Sequence, residues 1–250
     1  MFSEATDFVI VKTINHRSTG ITTAIAVNKK DNCKYIIKFA DLLLYQGYIS
    51  VTNESKFIDI CKSDNIVQSK GEIITDTHKI LILEYCEHGD LFEVLETKID
   101  FSHNYIEKIL KSVLQGLIVV HSKGIVHNDV KLENIFVTKD DEMRLGDFGL
   151  SFFENNPKTI WDGTPSYLPP EFRSGPLTCK IDIWSIGVLI YILFTRSTPF
   201  GESVKHVYNR HRMLPYHNSY IPEKYWNIIV SCFQIDHTKR PTAEEVLSQI

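Results

Sequence analysis

The chain changes its period part-way along, and that change sets what it can fold into. Up to Glu84 the apolar residues come in short β-branched or aromatic stretches: Phe8–Ile14, Thr22–Val27, Lys34–Ala40, Glu72–Ile74 and Lys79–Glu84. Asn, Asp, Gly and Lys separate them, which is the pattern of strands joined by turns. One segment among them, Val51–Lys62, has a helical cast. From Asp90 onward helical spacing takes over. Ile106, Ile109, Leu110, Val113, Leu114, Leu117 and Ile118 mark one apolar face, with Gly124 as a stop. Thr178 stands where it can cap an apolar helix running through Phe194, and Thr242-Ala243-Glu244-Glu245 has capping-box spacing. Strands first and helices second give an α+β fold of two lobes. The expected boundaries are a small lobe over 1–83, a hinge over 84–89 and a large lobe over 90–250.

At 250 residues such a chain can bury a full core. Its net charge of −4 gives no global attraction for nucleic acid or an anionic membrane, so neither is an expected partner. Five scattered cysteines with no CxxC pair read as reduced thiols of an intracellular protein. The first residues lack a basic stretch, so no signal peptide is expected. The most apolar run, Ile183–Phe194, is broken by Ser185 and Gly187 and is too short to span a bilayer, which makes it a core helix.

Chemistry is concentrated in His127-Asn128-Asp129-Val130-Lys131-Leu132-Glu133-Asn134, followed thirteen residues later by Asp147-Phe148-Gly149. Two acids, one amide and one lysine at this spacing suit phosphoryl transfer from a Mg-nucleotide. That reaction needs one carboxylate near the nucleophile and hard oxygen ligands for a divalent cation. Asp129 fits the first need, and Asn134 with Asp147 the second.

These motifs resemble the signature set of the eukaryotic-type protein kinases. The resemblance implies a bilobal fold: a small antiparallel-sheet lobe with one regulatory helix, and a larger helical lobe. It implies a serine/threonine kinase, since Asp129-x-Lys131-x-x-Asn134 has that form. Asp129 is then the base and Lys131 sits against the γ-phosphate. Tyr35-Ile36-Ile37-Lys38 resembles the Val-Ala-Ile-Lys strand, so Lys38 would hold the α/β-phosphates and pair with Glu54, one turn before Ile58. Thr164, within Gly163-Thr164-Pro165-Ser166-Tyr167-Leu168-Pro169-Pro170-Glu171, would bridge Asp129 and Lys131. Glu171 should pair with Arg240, Asp182 should brace the catalytic loop, and His127 should pack in the core. Phe148 should pack beneath the Glu54 helix. Around ATP the resemblance places Ile14, Gly20, Thr23, Ile36, Lys38, Leu83, Glu84, Cys86, Asp90, Glu133 and Phe136. Leu83 would stand behind the adenine, and backbone groups of Glu84 and Cys86 would read its edge. Asn134 and Asp147 would hold Mg2+ or Mn2+. Protein substrates are the implied partners, and Asp90 with Glu133 suggests basic residues near the acceptor.

Two departures stand out. The glycine-rich loop should lie at 16–23, yet only Gly20 is present, and Arg17 or His16 is left to add charge. Asn128 replaces the arginine that answers an activation-segment phosphate, so activity independent of phosphorylation at Ser151 or Thr159 is expected. The apolar segment Leu42–Ile49 leads into the Glu54 helix, and either burial in the small lobe or a homodimer through that region would account for it. The compact chain and the His-Asn-Asp-Val-Lys-Leu-Glu-Asn loop also resemble the small protein kinases of baculoviruses. That resemblance implies action in the host cytoplasm or nucleus in support of very late viral gene expression. The rivals are a pseudokinase scaffold, favoured by the poor glycine loop, and a small-molecule kinase, disfavoured by the docking loop Thr164–Glu171.

Overall fold

The computed structural model describes residues 5–16, 20–97, 101–156, 162–172, 175–201 and 214–250. Arg17 and Thr159 lie outside them. The first part is a five-stranded antiparallel sheet in the order β1-β2-β3-β5-β4. Its strands are β1 (Phe8–His16), β2 (Ile21–Asn28), β3 (Lys34–Asp41), β4 (Ser69–Ile74) and β5 (His78–Glu84). All five expected stretches are present, each a little longer than read.

Period-two alternation along β5 builds two cores. Leu81 and Leu83 face helix α1 (Tyr45–Ile60) with Val51, Phe57 and Ile58, whereas Ile80 and Ile82 face away with Ala26, Ile37 and Ile73. The α1 helix begins at Tyr45, not near Val51. Leu44 at its N-cap carries no capping oxygen, so the chain offers no start signal there. Over 42–49 burial is only partial: Gly47 is buried and Leu42, Tyr48 and Ile49 are half-buried, but the residues between are not. Leu43 is 91% exposed and Tyr45 75% exposed.

The second part is helical: α2 (Leu91–Thr97), α3 (His103–Ser122), α4 (Lys180–Thr195), α5 (Glu223–Cys232) and α6 (Ala243–Leu247). Ser102 caps α3 by accepting the Tyr105 N–H, and the expected apolar face is buried except for Ile118, which is half-buried. Gly124 turns the chain after α3 with φ +64°. From Ile181 to Leu193, α4 is buried on every side and is the central post of the large core. Its N-cap is Cys179, not Thr178. Thr178 still contributes, its hydroxyl accepting the Lys180 N–H at 3.3 Å. The capping box at Thr242 and Glu245 is formed. No helix among the described residues is long and apolar enough to cross a membrane.

Between the helices lie short ladders that carry the chemistry: β6 (Ile125–Val126) with β9 (Phe152–Phe153), and β7 (Ile135–Val137) with β8 (Met143–Leu145). Residues after β5 run directly to α2, so the sheet and the helical part meet along one connection and enclose a cleft.

Candidate active site

Strand β3 carries Lys38 into the cleft, and α1 brings Glu54 against it. Lys38 Nζ donates to both Glu54 oxygens at 2.7 Å and to Asp147 Oδ1 at 3.3 Å. Burial works against the lysine charge, but the carboxylates of Asp147 and Glu54 outweigh it and hold the ammonium above the ordinary lysine range. Asp147 adopts φ 60°, a left-handed conformation that costs an L-residue energy and is kept only where surroundings impose it. Phe148, fully buried beneath α1 with Val51 and Ile58, supplies that constraint. Gly149 packs close to α1, where an added Cβ would press on the Ser50 hydroxyl and turn it aside.

The loop after β6 is fixed from below. Asp182 on α4 accepts the His127 N–H at 2.9 Å and the Asn128 N–H at 2.8 Å. His127 is fully buried, its ring 4.7 Å from Phe148. Its Nε2 faces the Gly146 carbonyl at 3.1 Å, so Nε2 carries the proton and Nδ1 accepts the Asp129 N–H at 3.3 Å. Burial pushes its pKa down despite the nearby carboxylates of Asp182, Asp129 and Asp147. A neutral structural histidine results.

Asp129 is held at both oxygens. Thr164 Oγ1 donates to Oδ1 at 2.8 Å, Asn134 Nδ2 donates to Oδ2 at 2.9 Å, and Lys131 Nζ lies 2.9 Å from Oδ2. Lys131 also donates to Thr164 Oγ1 at 2.7 Å, which closes a ring of three side chains. Asn134 Nδ2 makes a second bond to the Asp129 carbonyl at 2.8 Å. Both partners are acceptors, so the amide orientation is fixed and Oδ1 points the other way. Asn134 and Asp147 both line the cleft, and their hard oxygens are of the kind that would hold a divalent cation.

The cleft encloses about 470 Å³, in the range of small-molecule sites. Ile14, Thr23, Ile36, Leu83 and Phe136 supply apolar walls, and Glu84, Cys86, Asp90 and Glu133 line the far end. The Glu84 side chain is spent structurally, accepting the Gln68 N–H at 2.9 Å. Burial, together with the charges of Glu93 and Glu133, pushes the Asp90 carboxyl up against a hydrogen bond from the Glu93 N–H. Asp129 and Thr164 stand beside the cleft, not in its lining.

Gly20 is the misplaced residue. Expected at the nucleotide, it lies outside the cleft lining with φ +82°, and a Cβ there would meet Leu44 Cδ1 at 2.3 Å. It serves the approach of the strand to the start of α1. Sequence reading also missed Ser50, Val67 and Glu93 in the lining. Ser50 lies one turn before Glu54 and Glu93 three residues after Asp90, spacings that could have flagged both. Val67 carries no local signal.

Outside the cleft, Arg240 makes paired bonds to Glu171 at 2.7 and 2.8 Å, wholly buried. Asn128 donates to the Leu150 carbonyl at 3.2 Å and to Asp162 Oδ1 at 2.7 Å. Ser151, 1% exposed, donates to the His127 carbonyl. Both described flanks of the activation segment are therefore tied to the catalytic loop.

A small antiparallel sheet over a helical lobe, with a lysine–glutamate pair facing a carboxylate–amide–lysine loop across a cleft, defines the protein kinase fold. Residues 9–250 match the family model described as protein kinase domain, and the chain belongs to that family. It is 34% identical over 185 residues to the serine/threonine-protein kinase kin-29 of Caenorhabditis elegans, covering 72% of this chain and 22% of that protein. Against serine/threonine-protein kinase 33 of Bos taurus it is 31% identical over 247 residues, covering 89% of this chain and 50% of the relative. With the Drosophila melanogaster serine/threonine-protein kinase CG17528 it shares 29% identity, covering 96% of this chain and 33% of that protein. The chain thus spans half or less of the length of these relatives.

Proposed function

We propose that this chain transfers the γ-phosphate of ATP to serine or threonine hydroxyls of protein substrates. The observation that carries the reading is the continuous network from Glu54 through Lys38 to Asp147, with Asn134, Asp129, Lys131 and Thr164 around the same cleft. An acceptor hydroxyl oxygen attacks the γ-phosphorus, a P–O bond forms, and the bond to the β-γ bridging oxygen breaks, releasing ADP. Asp129 accepts the hydroxyl proton as this proceeds. Thr164 and Asn134 lock its carboxylate in one orientation, which supplies the positioning on which phosphoryl transfer depends. Lys131 stands where it neutralises γ-phosphate charge, and Lys38, anchored by Glu54, holds the α/β-phosphates. Mg2+ held by Asn134 and Asp147 would offset charge on the phosphate oxygens when bound. Cys86 lines the cleft, which supports a role for its backbone at the adenine edge.

The test is phosphate transfer from radiolabelled ATP to a mixed protein substrate by wild type and Asp129→Ala. Label incorporated by wild type and lost in the variant supports the reading; equal background from both defeats it. Asp90, Glu93 and Glu133 at one end of the cleft support a preference for basic residues near the acceptor, to be read from a peptide array. Exposed Leu43 and Tyr45 support self-association through the α1 region, and ultracentrifugation showing only monomer would remove it. The finer reading of an intracellular viral kinase serving very late gene expression is supported by the 127–134 loop alone. Loss of late reporter expression in infected cells carrying Asp129→Ala would be its signature.

A further inference from the structure

The α1 helix does little to hold itself. No capping bond is made at Leu44, the first turn has no acid and the last no base. Gly47, Ile49, Val51 and Thr52 all lower its intrinsic propensity. Yet it must deliver Glu54 to Lys38 within a few tenths of an ångström. Its order has to come from neighbours.

On one side the neighbour is apolar, with Phe57 meeting Phe153 edge-on at 5.2 Å. On the other side it is polar and directional. Ser55 Oγ donates to Glu72 Oε2 at 2.8 Å, and Lys79 Nζ stands 2.9 Å from the same oxygen. Glu72 is paired with Leu81 and Lys79 with Ile74, so the two lie diagonally on the sheet face that looks at α1. Ser55 and Lys79 are both buried, at 7% and 6% exposure. Glu72 itself is exposed, its side chain 41% accessible, but both of its partners are buried, so the bonds they make to it favour one orientation where apolar contacts alone would tolerate a small roll of the helix. Ser55 adjoins Glu54, about 100° away around the helix axis. Fixing Ser55 therefore fixes the roll that swings Glu54 towards or away from Lys38.

We propose that Glu72, clamped between Lys79 and Ser55, is a positioning residue that sets the roll of α1 and so keeps Glu54 on Lys38. Glu72 is absent from the cleft lining and acts only through the helix. Burial raises its carboxyl pKa, but bonds from Lys79 and Ser55 outweigh this and lower it, keeping the carboxylate charged. The proposal rests on the kinase reading above, since its kinetic consequence is read in ATP turnover.

The experiment is a cycle of Glu72→Ala and Glu54→Gln, with Glu72→Gln as the conservative variant. Thermal unfolding is followed in parallel, and amide exchange is measured over residues 45–60. Expected are a fall of about tenfold in kcat/KM for ATP with Glu72→Ala, the scale of coupling between residues in one network, and recovery of most of it with Glu72→Gln. Exchange in α1 should quicken. In the Glu54→Gln background the Glu72→Ala loss should nearly vanish. If Glu72→Ala multiplies the loss equally in both backgrounds, or leaves α1 exchange unchanged, the proposal is overturned. Should Glu72→Ala fail to fold, Ser55→Ala, which removes a single oxygen, carries the same cycle. Wild type without phosphate transfer would defeat the kinase reading, while α1 exchange would still decide the brace.

Discussion

The floor and the roof of the cleft are held in different ways. The floor hangs on buried hydrogen bonds to charged groups: Asp182 on the His127 and Asn128 amides, Arg240 on Glu171, Thr164 and Asn134 on Asp129. Each leaves a charged partner stranded if broken, so the arrangement is stiff. The roof is β1 at the sheet edge, with register shifts between Ile10 and Lys12 and between Thr13 and Asn15. Val9, Ile10, Val11 and Ile14 are each about half exposed. Such a strand is shaped by backbone irregularity and turn conformation, which leaves it compliant. Asp129, Lys131 and Asn134 sit on the stiff side, Lys38 and Glu54 belong to the sheet part, and the edge strand that covers the cleft is the compliant element.

The contrast can be broken from either side. Asp129→Asn keeps the shape of the floor and removes its base. Steady-state transfer should fall by about 10²–10⁴-fold, with the melting temperature little changed. Arg240→Met removes one half of a buried pair, and denaturant unfolding should show a loss of about 3–5 kcal/mol, because the Glu171 carboxylate is left uncompensated. On the roof side the cost is smaller. Gly20→Ala forces a side chain into a left-handed position against Leu44, and unfolding should register about 1–2 kcal/mol. Smallest of all is the effect of phosphatase. Asn128 and Ser151 already tie the activation segment to the catalytic loop without a phosphate, so treated and untreated enzyme should have equal kcat. A large gain from phosphorylation would show that the tie is not sufficient.

The same contrast explains what could be read from the residues alone. Part of the floor was legible because Asp129, Asn134 and Asp147 sit at short fixed spacings within 127–134 and 147–149, whereas Thr164, Asp182 and the Glu171–Arg240 pair, 35 to 69 residues from their partners, were reached only through the family resemblance. Glu54 too was reached through the resemblance, which asks for an acid on the helix after Lys38. The roof was not legible. Gly20 looked like a phosphate-loop glycine, yet its left-handed φ serves contact with Leu44, a relation between strand and helix that no local pattern encodes. The first turns of α1 went unread for want of a capping residue, and the brace from Ser55 to Glu72 and Lys79 spans three elements with no shared motif.

One consequence concerns the order of assembly. Glu171 closes the loop that begins at Thr164, and Arg240, its anchor, comes 69 residues later. During synthesis the cleft's small-lobe half can form while that loop still has nothing to grip. A nascent chain therefore lays down every residue of the cleft lining, the last being Asp147, before the Glu171 loop can be anchored, and closure of that loop follows the cleft in time.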